Sequence, residues 1–128
     1  MAKNFESDGS VIQWTNGTGA TVASGQVVKV GGGTLGVALV TLANGATGSV
    51  AVEGVFNNVP KVSAAVFAQG EKLLFDVSAG SGVGAFDDSA ATGASGDVMG
   101  GAVAWAAGAN LETVCTIKLT PGNSTVTA

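Results

Sequence analysis

Gly25-Gln26-Val27-Val28-Lys29-Val30-Gly31-Gly32-Gly33-Thr34-Leu35-Gly36-Val37-Ala38-Leu39-Val40-Thr41-Leu42 is the stretch on which the fold class turns. Two valine-rich runs flank a triple glycine. Valine is stiff at its Cβ and suits a pleated surface better than a helix, while consecutive glycines close a run. The stretch reads as strand, turn, strand. Just beyond it Asn44-Gly45 marks another turn. Ser49-Val50-Ala51-Val52-Glu53 then alternates, with Val50 and Val52 on one face and Ser49, Ala51 and Glu53 on the other.

The same grammar extends to both ends. Val11–Thr15 reads as a strand closed by Asn16-Gly17, and Ala20–Ala23 as a weak one. Val55-Phe56 ends at an Asn57-Asn58 turn, and Lys72–Val77, Val98–Ala106 and Glu112–Thr120 read as further strands. Alanine is interleaved with Gly, Val and Thr, which disfavours helices. Only Pro60–Gln69, with a proline at its start and Gly70 just past its end, fits a short helix as well as a strand. Residues 79–97 form a Gly/Ser/Ala-rich loop with Phe86 in its middle, a ring that either anchors the loop on its own domain or docks a partner. The polar tail 121–128 is expected to fray.

An internal repeat is visible. Leu35-Gly36-Val37-Ala38-Leu39 matches Met99-Gly100-Gly101-Ala102-Val103, and Ser49-Val50-Ala51 matches Thr113-Val114-Cys115, both 64 residues apart. Gly25–Val30 matches Gly70–Phe75 at a spacing of 45, the difference being the extra length of the 79–97 loop. The expectation is an all-β single domain over residues 1–128. Two similar β-units close on each other as a sandwich or barrel, with at most one short helix.

Composition bounds the function. Of 128 residues only 11% are charged, against a typical quarter, and 46% are hydrophobic with few aromatics. There is no His, Arg or Tyr, so the common general base, metal ligand and phosphate clamp are missing. A net charge of −4 argues against nucleic acid, which requires a cationic footprint. The longest apolar run, Leu35–Val40, falls far short of the roughly 20 residues of a membrane span. The first ten residues contain no apolar signal stretch, which predicts a protein made and kept in a cytoplasm, or in something assembled there. Cys115, the lone cysteine, can form neither an internal disulfide nor a zinc site and reads as a small buried hydrophobe.

The remaining motifs carry no recognisable chemistry. Gly17-Thr18-Gly19 and Gly80-Ser81-Gly82-Val83-Gly84 do not complete a phosphate-binding fingerprint. Asp87-Asp88 lacks the spaced oxygen ligands of a calcium loop. Lys29, Lys61, Lys72 and Lys118 read as solvated strand-edge charges. No enzyme, metal or cofactor is expected from these residues, and the chain is expected to act by shape and adhesion.

Taken in order, the opening Met1-Ala2-Lys3-Asn4-Phe5, the Gly25-Gln26-Val27-Val28 segment, Leu35-Gly36-Val37-Ala38, Val50–Phe56 with Pro60-Lys61, Gly70-Glu71-Lys72 and Gly100-Gly101-Ala102-Val103 resemble the small bacteriophage capsid cement, or decoration, proteins. The resemblance runs from residue 1 to about residue 120, and the 79–97 loop looks longer than that family's usual turn. It implies a β-sandwich of jelly-roll type on the outer surface of a phage head, clamping neighbouring major capsid subunits of HK97-like fold. It further implies a homo-oligomer, a dimer ahead of a trimer. Lys3, Asn4 and Phe5 are candidates for an N-terminal arm within residues 1–10 that pairs with a neighbour, or else form a first strand of the domain. Glu53, Phe56 and Phe86 are the other candidate contacts to the capsid or to a second copy. Tail or fibre components are the alternative class.

Overall fold

Valine-rich runs punctuated by glycine become two antiparallel sheets. The computed structural model describes residues 3–128. Its strands are β1 (Val11–Thr15), β2 (Val27–Val30), β3 (Thr34–Ala38), β4 (Thr47–Ala51), β5 (Gly54–Pro60), β6 (Lys72–Asp76), β7 (Ala85–Asp87), β8 (Val98–Ala104), β9 (Val114–Leu119) and β10 (Thr125–Val126), with a 3-10 turn at Gly80–Gly82. The first sheet has the order β1-β4-β3-β2. The second has the order β5-β9-β8-β6-β7, with β10 on β8.

These orders are one topology used twice, with β5, β9, β8 and β6 standing for β1, β4, β3 and β2. Backbone bonds repeat with it. Gly25 N–H donates to Ala38 O and Gly70 N–H to Ala104 O, both at 2.7 Å. Ala38 N–H donates to Gln26 O and Ala104 N–H to Glu71 O. The Gln26 side chain accepts from Ala23 N–H, as the Glu71 carboxylate accepts from Ala68 N–H. The 45-residue spacing of the first half of the repeat is therefore structural. The 64-residue spacing is corrected: Ala38 corresponds to Ala104, which is 66 residues on. The 64-residue alignment paired glycine with glycine, whereas the strand register makes Gly36 of the first unit equivalent to Ala102 of the second.

The faces of the first sheet bury different things. Val27, Leu35 and Val37 join the main core with Phe75, Phe86, Val98, Ile117 and Leu119 of the second sheet. Val28, Ala38 and Val50, on the opposite face, form a smaller core capped by Val22 and Leu42. The loop residues Val22 and Leu42 bridge to each other, and Phe67 and Gly108 make the same bridge in the second unit. There a Cβ on Gly108 would come within 2.5 Å of the Phe67 ring, so the larger ring at one position requires glycine at the other. The few large buried side chains contribute roughly 1.5–3 kcal/mol each and offset the thin alanine packing elsewhere.

Several local expectations need correction. Pro60–Gln69 contains no helix: Pro60 ends β5, and Lys61 and Phe67 form isolated bridges. Asn57-Asn58 is a bulge inside β5 rather than a turn, with Asn58 at φ 54°. The 79–97 segment contains β7, which pairs with β6. The 121–128 tail is pinned, since Thr125 and Val126 pair with Met99 and Val98 and Thr127 exchanges bonds with Gly96 and Asp97. Lys61 is buried rather than solvated, and Lys29 reaches Gly96 O at 3.1 Å.

Candidate functional site

The candidate contact residues fall into three environments. Lys3, Asn4 and Phe5 are exposed, with Phe5 at 66%. No strand forms over residues 3–10, and β1 begins at Val11. Met1 and Ala2 lie outside the described residues. Where this segment enters the domain, Ser10 O accepts from Val52 N–H. Glu53 is exposed beside it in a shallow groove shared with Ser10, Gly54, Lys118, Thr120 and Asn123. Phe56 is half-buried and rests on the main core, opening onto a separate hollow with Val55, Asn57 and Thr116. Phe86 is corrected as a contact candidate. It is fully buried with its ring centroid 5.1 Å from that of Phe75, so it offers nothing to a partner.

The buried polar groups are all structural in their geometry. Lys61 Nζ donates to the carbonyls of Val62, Ser63 and Glu112 at 3.0, 3.3 and 3.2 Å and lies 5.7 Å from the Phe67 ring centroid. Asn16 is its counterpart, 45 residues earlier: Asn16 Nδ2 donates to Ala20 O and Leu42 O, and Asn16 Oδ1 accepts from Thr18. Each residue ties the loops that cap its unit. Asp97 accepts from Val77 N–H and Ala94 N–H. Burial pushes the Cys115 thiol up to about 11, against a smaller opposing pull from Lys61, so at neutral pH it is a thiol and a poor nucleophile. Hydrogen bonds from Ser89 and Ala68 hold the Glu71 carboxyl below its usual value. Asp87 and Asp88 accept from Asp88 N–H and Ala90 N–H, serving their own turn.

What the surface presents is contact area. Leu39, Val40, Val66, Trp105, Leu111 and Val114 stand exposed, and sequence reading had no means of finding them because no local pattern tells an exposed apolar residue from a core one. Leu111 stands out among these. It is 77% exposed and held at φ 75°, where the first unit has Gly45 at φ 86°. A leucine with positive φ is strained, and here no burial compensates it. Its loop is tied by Leu111 N–H to Ser63 O, three residues before the exposed Val66.

No curated protein matches the chain. The sequence model of the family described as phage cement protein matches residues 6–119, a span that takes in both β-units and the loop between β7 and β8. This two-unit β domain belongs to the phage cement protein family.

Proposed function

We propose that the protein sits on the outer surface of a bacteriophage head and bridges neighbouring major capsid subunits of HK97-like fold, stabilising the expanded shell. Membership of the cement family across residues 6–119 is the observation that carries this reading. The exposed, strained Leu111 supports it, because strain persists where function uses it. A cement protein needs no catalytic group. It binds the assembled shell better than free subunits and so shifts the equilibrium towards the shell by mass action. Copies that also touch one another reinforce attachment through effective concentration, so shallow contacts suffice. Homo-oligomerisation, with a dimer as the favoured state, belongs to this reading. So do synthesis in the host cytoplasm and the arm role of Lys3, Asn4 and Phe5, with Glu53 and Phe56 as further contacts.

Co-sedimentation with expanded empty heads tests it. The wild-type chain co-sediments with heads, and deletion of residues 1–5 abolishes binding while leaving the β-sheet circular dichroism intact. Unchanged occupancy after the deletion rejects the arm. Leu111→Gly relieves the left-handed strain and removes the exposed side chain. Its expected result is a stability equal to wild type or up to about 1 kcal/mol higher, with lower head occupancy. Equal occupancy removes Leu111 from the contact surface.

A further inference from the structure

We propose that β1 is a self-pairing edge: two copies of this chain join β1 to β1 in antiparallel fashion about a two-fold axis at Gln13. This names the seam for the self-association in the reading above and deepens that reading.

The first ground is that β1 is an open edge. Among the described residues it pairs with β4 alone, with Val11 opposite Ala51 and Thr15 opposite Thr47. Ser10 O accepts from Val52 N–H and Asn16 N–H donates to Ala46 O, so the even-numbered residues bond inwards. In an antiparallel ladder the alternate residues then turn both backbone groups outwards. These are Val11, Gln13 and Thr15, all exposed. No charge or proline interrupts Val11–Thr15, so nothing defends this edge.

The second ground is that every other edge is defended. The β2 edge carries Lys29, a charged residue of the kind that blunts edges, with its ammonium 3.1 Å from Gly96 O. The outer side of β7 is occupied by Lys61, through a parallel bridge to Phe86. The third edge, β10, is two residues long. Duplication makes β5 the informative comparison. Forty-five residues after Gln13 stands Asn58, at φ 54° within a bulge, and 45 after Thr15 stands Pro60, which has no N–H to offer. The second unit is blunted at two of the outward positions that β1 leaves open.

The third ground commits the occupant to a second copy. Read antiparallel about Gln13, the strand is complementary to itself. Val11 meets Thr15, Gln13 meets Gln13, and each such pair exchanges both backbone bonds. Ile12 faces Trp14 of the second copy in a non-hydrogen-bonded pair, where side chains approach most closely, and aliphatic–aromatic pairs of this kind stabilise sheets. Trp14 already packs against the smaller core, so the pairing continues that core across the seam. The protein carries −4 overall, yet no charged residue meets another within the strand pair. A two-fold seam of this kind is isologous and closed. A single strand pair buries less than the roughly 1,200 Å² of a standard interface, so the dimer is weak in dilute solution and favoured where copies crowd on a surface.

Sedimentation equilibrium of the full chain at increasing loading tests the seam. The expected result is a weight-average mass rising from 12.3 kDa towards twice that value and no further. Gln13→Pro removes an outward N–H while keeping every backbone bond to β4, and Gln13→Lys sets two ammonium groups face to face; both lose the exposed Gln13 Nε2–Ser49 Oγ bond of 2.9 Å. Both are expected to remain monomeric over the same range with wild-type circular dichroism. If the proline variant fails to fold, the lysine variant decides. A wild-type chain that stays monomeric, variants that associate like wild type, or a limiting mass above the dimer overturns the proposal. Monomeric wild type that binds heads, with Gln13→Pro binding poorly, overturns it in favour of a capsid strand at this edge. Failure of the wild-type chain to bind heads removes the capsid reading and leaves the seam to be judged by mass alone.

Discussion

Gly84→Ala is expected to destabilise the protein by about 3–4 kcal/mol, lowering the thermal midpoint by roughly 10 °C. Gly84 has φ 97°, and a Cβ there would lie 2.2 Å from the Phe75 ring, with two further ring atoms within 2.9 Å. Phe75 is confined on one side, since it is 3% exposed and packs on the buried Phe86. Two costs therefore combine. Left-handed backbone costs a residue with a Cβ about 1–2 kcal/mol, and overpacking a closed core costs about 1–3. Gly82→Ala separates them. Gly82 has φ 90° but open space around it, so only the backbone cost of about 1–2 kcal/mol applies. Urea denaturation of both variants reads the difference. Equal losses would show that Phe75 accommodates the methyl and that the ring pair is looser than its geometry implies.

Lys61→Met is expected to cost about 3 kcal/mol, although methionine keeps most of the apolar stem. The ammonium satisfies three carbonyls at once, and Lys61 is 4% exposed. Removing it leaves those oxygens to find other donors under the loops that cap the second unit, and each buried group left unsatisfied costs roughly 1–3 kcal/mol. The contact with the Phe67 ring is lost as well. Lys72→Met, on an exposed lysine of β6, serves as the comparison and should fall within about 0.5 kcal/mol of wild type. Hydrogen exchange locates the damage. The amides of Phe67, Gly108 and Leu111 should lose protection before those of β3, because the opening begins in the loops that Lys61 joins. A uniform loss across both sheets would mean that the units open together.

Much of this fold is local in origin. Strand runs, glycine turns and the 45-residue half of the repeat are all spelled by neighbours in the chain, so they were legible. The misread elements depend on contacts between distant residues. Asn57-Asn58 looks like a turn, but β9 holds it as a bulge within β5. Lys61 looks like a surface charge until the loops at 62–63 and 112 close their carbonyls around it. The polar tail pairs with β8 because β9 leaves the Val98–Met99 end of that strand free. Candidate contacts divide in the same way. Exposure at Lys3, Asn4 and Glu53 follows from polarity, whereas the burial of Phe86 and the exposure of Phe5 and Leu111 do not.

The amino-acid order by itself established the class: β-structure in two related units, with no His, Arg or Tyr. Periodicity, turn chemistry and composition are properties of short segments, and they survive any tertiary arrangement. Which apolar residues are core, which face outwards, and that β1 keeps an open edge where β5 is bulged and proline-capped were settled by the packing of one sheet on the other. Burial and edge status belong to pairs of strands far apart in the chain, so no local pattern encodes them.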